Sequence, residues 1–377
     1  MPTLPADPAA LHAALQRWFR DHRRDMPWVD APTPYAIWIA VVMLQQTQLV
    51  TVAPYFQRWM QRFPHVEALA EAALDDVLKQ WQGLGYYARA RNIHRAARQL
   101  VAEHGGALPR EAEALMTLPG IGRYSAGAIA SIAFGKRAAA LDGNLKRIFA
   151  RLTLLERSIN SSAGDRELWQ IAEALLPTAA QAGDWNEALM DLGALVCTSR
   201  NPHCGACPFQ PHCLAFAHGL QDELPRRKAS KARPHYIVTA GVIWDAAGDQ
   251  LLVAQRPTEG MLGGLWEFPG GKQETGETLQ AALRRELREE MAIEVAVGDE
   301  LVVIDHAYTH FSITLHAFHC THIGGEPQRL GVADFRWLHP DELAQLAWPS
   351  TDQRILEALL SEKRNGNAER VTQSQEN

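Results

Sequence analysis

The 377-residue chain lacks any apolar run long enough to cross a bilayer. Its longest, Ala36 to Leu44, stops well short of the ~20 residues such a span needs. No apolar signal core stands near Asp7 and Pro8, so the expectation is a cytoplasmic protein, not a membrane one. Positive charge is not in excess either. With 37 Lys and Arg against 43 Asp and Glu, the net charge is -6, which excludes a generally basic nucleic-acid binder. Any contact with DNA must then come from local patches and backbone amides. Cysteine is scarce, five in all, and four of them crowd into Cys197 to Cys213. That suits a metal site in a reducing compartment better than a disulfide framework. Strand alternation is absent before residue 236.

What is present suffices for ordinary cores, with 47% hydrophobic and 21% charged residues in a length that suggests two or three domains. Pro8 to Arg24 reads as an amphipathic helix with Leu11, Leu15 and Phe19 on one face. A second helix starts near Pro34 and runs through Trp38, Val41, Val42 and Leu44 into Gln45-Gln46-Thr47. Helical spacing recurs over Thr51 to Phe63, Val66 to Trp81 and Tyr87 to His104. Residues 1–220 therefore read as one all-α domain. Residues 221–235, polar, basic and proline-containing, read as a linker. Residues 236–361 read as an α+β domain, with strands at Tyr236 to Trp244, Gln250 to Ala254, Leu301 to Ile304 and Ser312 to His319. Its helices are expected at Leu279 to Met291 and Asp352 to Ser361. Residues 362–377 are polar and expected to be disordered.

Five local patterns carry chemistry. Gly120 and Gly122 make a tight turn into a small-residue helix, Tyr124 to Ala133. This is either a plain helix–helix turn or a set of free N–H groups able to hold a phosphate. About twenty residues on, Asp142 precedes Gly143-Asn144 at the start of another helix. It reads either as an N-cap for the N–H of Asn144 or Leu145, or as a carboxylate working on a nucleotide. Tyr86, after Gly83-Leu84-Gly85, is poorly placed for a core and well placed to wedge between bases. It leads a helix bearing Arg89, Arg91, Arg95 and Arg98. Cys197, Cys204, Cys207 and Cys213 can wrap one metal centre, zinc being the generic choice. Arg200, His203 and His212 beside them form a phosphate-contacting loop. Finally, Glu286, Glu289 and Glu290 share one helix face. They pair with Arg284, Arg285 and Arg288, or gather a hard divalent ion such as magnesium.

In this order the patterns resemble known families. Leu118 to Arg151 resembles the helix-hairpin-helix and Gly/Pro-Asp loop of DNA glycosylases. The cysteine spacing, directly after a helical domain, is similar to the 4Fe-4S loop of that superfamily's endonuclease III and MutY branch. Trp266 to Ile293 resembles a MutT-type Nudix box on Gly271, Glu277, Arg285, Glu286, Leu287, Glu289 and Glu290, with Ala292 in place of the usual glycine. Together, from about Leu11 to Leu360, the chain resembles the MutY adenine DNA glycosylases. The resemblance implies a monomer that removes adenine mispaired with 8-oxoguanine, or guanine, from double-stranded DNA. It implies a 4Fe-4S cluster on Cys197, Cys204, Cys207 and Cys213, and Asp142 as a catalytic carboxylate. Trp28, Tyr124 and Asn144 would line the adenine pocket. Gln46 and Tyr86 would intercalate beside the oxidised base, while Gly120, Gly122 and Lys146 complete the DNA contacts. His306-Ala307-Tyr308-Thr309-His310 aligns with the loop that contacts 8-oxoguanine, giving Tyr308, Thr309 and His310 that role.

One position breaks the pattern. The family places its catalytic acid in Ser-Glu-Val-Met-Leu-Gln-Gln-Thr, and this chain reads Ala40-Val41-Val42-Met43-Leu44-Gln45-Gln46-Thr47. Valine can neither donate a proton nor hold a water. The expectation is severely impaired excision. The rival expectations are a nucleotide pyrophosphatase working through Glu286, Glu289 and Glu290, and a mismatch-binding protein without turnover.

Overall fold

The computed structural model describes residues 4–26, 28–29, 32–226 and 232–375, except for the side chains of 363–375. The centre of the expected linker, 227–231, therefore lies outside the described residues. No helix in that set is long and apolar enough to cross a membrane. The chain divides into two compact units, Met1–Glu71 with Asn92–Ser230, and Ala72–Arg91 with Lys231–Asn377.

Among the described residues the first unit is all-α. Asp7 accepts from Ala9 N to open Pro8–His22, whose Leu11, Leu15, Trp18 and Phe19 are buried. Thr33 caps Pro34–Met43, with Pro34 at the first position, where its missing N–H is no loss. Every residue of that helix from Tyr35 to Met43 is buried, as an all-apolar helix requires. The core joins Leu11, Leu15 and Phe19 to Leu145, Ile148, Phe149, Leu168, Leu189 and Leu192. Arg123–Phe134 buries Ser125 through Ser131 and stops at Gly135, which is left-handed at φ 61. Small residues let a neighbouring backbone close in: a Cβ on Gly127 would meet Ala139 O at 1.9 Å.

The second unit is built on a six-stranded mixed sheet. β1 (His235–Trp244) pairs antiparallel with β2 (Leu251–Gln255) and parallel with β5 (Ser312–Gly324). β3 (Trp266–Glu267) and β6 (Asp334–Leu338) flank β2, and β4 (Glu294–Ala307) pairs with β5. Strand period divides the core between two faces. Leu251 and Val253 join Trp266, Phe268, Trp348, Ile355 and Leu359 on one side. Leu252 and Ala254 join Leu283, Leu287 and Met291 of the helix Leu279–Met291 on the other. That helix ends on Ala292 at φ 58, a left-handed position where glycine is unstrained and alanine is not.

Three expectations change. The helix expected over Val66 to Trp81 breaks after Glu71 and restarts at Leu74, after the break between the units. Its second half belongs with the sheet. Lys79 Nζ donates to Ala344 O and Leu346 O at 2.8 and 2.7 Å, and Gln255 Nε2 donates to Asp75 Oδ1 at 2.9 Å. Arg91 donates to Gly263 O and Gly260 O at 2.8 and 3.0 Å. The domain read as a continuous 1–220 is thus interrupted at 72–91. β4 is far longer than the expected Leu301 to Ile304, because register shifts around Glu300 break the alternation that marks a strand. Of the tail read as disordered, residues 362–375 continue the last helix, Ser350–Gln375, and 376–377 lie outside the described residues. Ile355 and Leu359 anchor its start.

Candidate active site

Asp142 meets the first of its two readings. It caps Gly143–Leu152, with Oδ1 accepting from Asn144 N and Leu145 N at 2.8 Å each. Burial nonetheless raises its pKa above the ordinary carboxylate value, against the opposing pull of those N–H groups and of Arg147. The loop ahead of it is pinned from a distance. Buried Asn186 accepts from Ala140 N at 3.2 Å, and its Nδ2 donates to Ala138 O and Ser131 Oγ at 2.9 Å. Arg147 Nη2 donates to Asn144 Oδ1 at 2.9 Å and to Gly193 O at 2.8 Å, and its Nε to Cys197 O at 2.7 Å.

Tyr124 lies close enough to Asp142 for the carboxylate, after burial, to raise its phenol pKa, so the hydroxyl stays protonated. Trp28 is buried at the end of a segment held by Asp191, which is fully buried and takes Arg24 N at 3.0 Å and Arg24 Nε at 2.7 Å. Neither Asn186 nor Asp191 carried a sequence signal beyond a polar letter on an apolar helix. Val41 is buried, and Pro34–Met43 contains no carboxylic acid.

The DNA-facing candidates differ in posture. Gly120, at φ 79, has no room for a side chain, since a Cβ would fall 2.5 Å from Asn92 Cβ. Gly122 opens Arg123–Phe134 with no side-chain cap, leaving the first N–H groups for an outside acceptor. Gln45 Nε2 is tied to Ser125 Oγ at 2.8 Å, whereas Gln46 is exposed and left-handed at φ 59. Tyr86 shares that posture at φ 49, and 45% of it is exposed. Non-glycine residues held there store strain, of order 1–3 kcal/mol each. Lys146 is paired with Asp165 Oδ1 at 2.5 Å.

In the second unit, Tyr308 turns inward. Its ring packs on His306 and Phe311 at centroid distances of 4.5 and 5.0 Å, and its N donates to Phe311 O at 2.8 Å. Thr309 and His310 stay exposed at the hairpin tip, with Thr309 Oγ1 3.1 Å from Tyr86 Oη. On the acidic helix, the balancing cation is Arg285. Its Nε and Nη2 donate to Glu277 at 2.7 and 3.1 Å, and its Nη1 to Glu286 and Glu289 at 3.0 and 3.1 Å. Glu290 stands apart, pushed up to about 7 by burial and by Glu267, Glu286 and Glu289. Glu267, also pushed up to about 7 by burial, holds Arg256 at 2.6 Å. Among the described residues, no three His, Cys, Asp or Glu side chains converge as ligands of a single metal ion. As placed, these carboxylates take Arg285 as partner, one of the two partners that the sequence offered them.

The cysteines differ. None of the four is in a disulfide, and Cys197, Cys207 and Cys213 pack against the first unit's core beside buried Phe209. Burial, then the neighbouring cysteines, pushes Cys207 up to about 12, and Cys204 and Cys213 also rise. Four cysteines gathered in one loop are a donor set that iron deprotonates on binding.

Residues 39–174 match the HhH-GPD superfamily of base excision DNA repair proteins, and 197–213 the iron-sulfur binding domain of endonuclease III. Residues 239–358 match the NUDIX domain. A rat protein named adenine DNA glycosylase is 35% identical over 96% of this chain and 80% of its own length. Its human counterpart is 35% identical over 93% and 74%. The chain belongs to the adenine DNA glycosylase family. A solved thermostable thymine-DNA glycosylase covers 56% of this chain and 97% of its own at 27% identity and a TM-score of 0.50, matching the helical architecture. As a member of the adenine DNA glycosylase family, the chain is a base-excision-repair glycosylase acting on DNA, with a 4Fe-4S cluster as its cofactor.

Proposed function

We propose that this glycosylase, as a monomer, finds adenine opposite 8-oxoguanine in duplex DNA, and that Val41 leaves its excision step without a proton donor. Adenine is a poor anionic leaving group. Its departure needs an acid to protonate the ring and a carboxylate to stabilise the oxocarbenium-like sugar. Asp142 is the carboxylate, held in one orientation by two N–H bonds. Trp28, Tyr124 and Asn144 enclose the extruded base. The hairpin N–H groups after Gly120 and Gly122 take the backbone phosphate, with Lys146 exchanging its pair with Asp165 for the DNA backbone. Gln46 and Tyr86 fill the gap in the stack, and Thr309 and His310 read the oxidised base, with Tyr308 holding their hairpin. Cys197, Cys204, Cys207 and Cys213 hold the cluster, which shapes the loop after the helical unit.

The observation that carries the reading is the acid-free, fully apolar helix Pro34–Met43 in a unit whose Asp142 is otherwise in place. The test is single-turnover excision on an 8-oxoguanine:adenine duplex, comparing this chain with Val41→Glu. Slow or absent product from this chain, with fast product from the variant, is expected. Equal rates overturn the reading.

A further inference from the structure

Arg151 is 2% exposed, in the last turn of Gly143–Leu152. Its Nη1 donates to Cys197 Sγ at 3.3 Å and to Thr198 O at 2.7 Å, and its Nε to Leu224 O at 2.9 Å. Its backbone O accepts from Cys213 Sγ at 3.5 Å. The same residue thus touches the first and last cysteines of the loop and the segment that follows them. Its Nη2 is buried and finds no hydrogen-bond partner among the described residues. A buried guanidinium donor left so is unfavourable, which points to an acceptor in the group that the cysteines hold.

We propose that Arg151 is the positioning cation of the iron–sulfur cluster, balancing the charge of its thiolates and finding the absent acceptor of Nη2 among the cluster's sulfurs. Two consequences distinguish this from a packing role. A cation against the ligand sulfurs favours the more negative, reduced state of the cluster, so its removal lowers the midpoint potential. Outer partners of ligand side chains also set how firmly the metal is held, commonly by about 10- to 100-fold.

The test uses the full-length, cluster-loaded protein and its Arg151→Met and Arg151→Lys variants. One readout is the midpoint potential at an electrode; the other is the half-life of cluster absorbance under an iron chelator. The methionine variant is expected to show a lower potential and a half-life shorter by about 10-fold or more. The lysine variant, which keeps the charge and loses the fork, is expected to fall between it and the parent. An unchanged potential in a variant that merely melts earlier overturns the proposal. If the methionine variant does not load, the lysine variant decides: parental potential and half-life in it count against the proposal, and a fall in both supports it.

Discussion

Asp142 and Glu290 are both carboxylates whose pKa values burial raises, yet the sites around them are incomplete in opposite ways. Around Asp142 the cap, the buried Asn186 clamp and Tyr124 are in place, and on the proposed reading the missing letter is the acid at position 41, which is valine. Around Glu290 the letters are nearly all present, and the geometry has turned inward on Arg285, which ties Glu277, Glu286 and Glu289 together. A motif is therefore a statement about which residues are available. The partner each carboxylate faces decides what it can do.

The sharpest way to break this comparison is to restore the missing letter. Val41→Glu is expected to raise the single-turnover excision rate by about 100- to 10,000-fold, toward the upper end for so poor a leaving group. In that background the pH profile tests the other half. Asp142 must be ionised to stabilise the sugar, and its folded pKa is raised. The rate should therefore fall as pH drops through a value above the ordinary carboxylate range, by about tenfold per unit below it. An acid limb at the ordinary value of about 4 would mean that the capping N–H groups and Arg147 outweigh burial. Removing the cation from the second site is the converse experiment. Arg285→Met is expected to lower Tm and to make Tm rise with added magnesium, a response the parent lacks; an unresponsive variant would show that those carboxylates do not gather metal even when freed. Smaller effects follow at the periphery. Thr309→Val removes the bond to Tyr86 and is expected to weaken binding to the 8-oxoguanine duplex about 2- to 10-fold, read as Kd with undamaged duplex as control. Smallest is Ala292→Gly, which relieves a left-handed alanine and is expected to stabilise the protein by about 0.5–1 kcal/mol in urea denaturation.

How much of this was legible in the sequence follows from the range of each interaction. Asp142 as cap and carboxylate, the cysteine loop and the Glu286–Glu289–Glu290 face are local, with all their partners within a few residues. The clamps were not legible. Asn186 reaches residues 46 and 48 positions away, and Asp191 reaches Arg24 across 167. The two-faced sheet was legible as alternation in β1 and β2, but not in β4, where bulges reset the phase. The allegiance of 72–91 was hidden for a different reason. Helical periodicity shows that Leu74 and Leu78 need burial, and it does not say whose core supplies it. The acidic face is open in a similar way, because its pattern offers both Arg285 and a divalent ion as partners.

The grouping of 72–91 with the sheet bears on how such a protein can be taken apart. A cut at the linker would not release two self-sufficient pieces. The amino-terminal fragment would carry Leu74–Trp81 stripped of its cover, and Gly264, against which Leu74 and Leu78 rest, would face solvent on the other. The sheet unit is woven into the chain at two points rather than appended at one. Gaining or losing it as a cassette would require the donor helix to find, or forfeit, a partner at the same step.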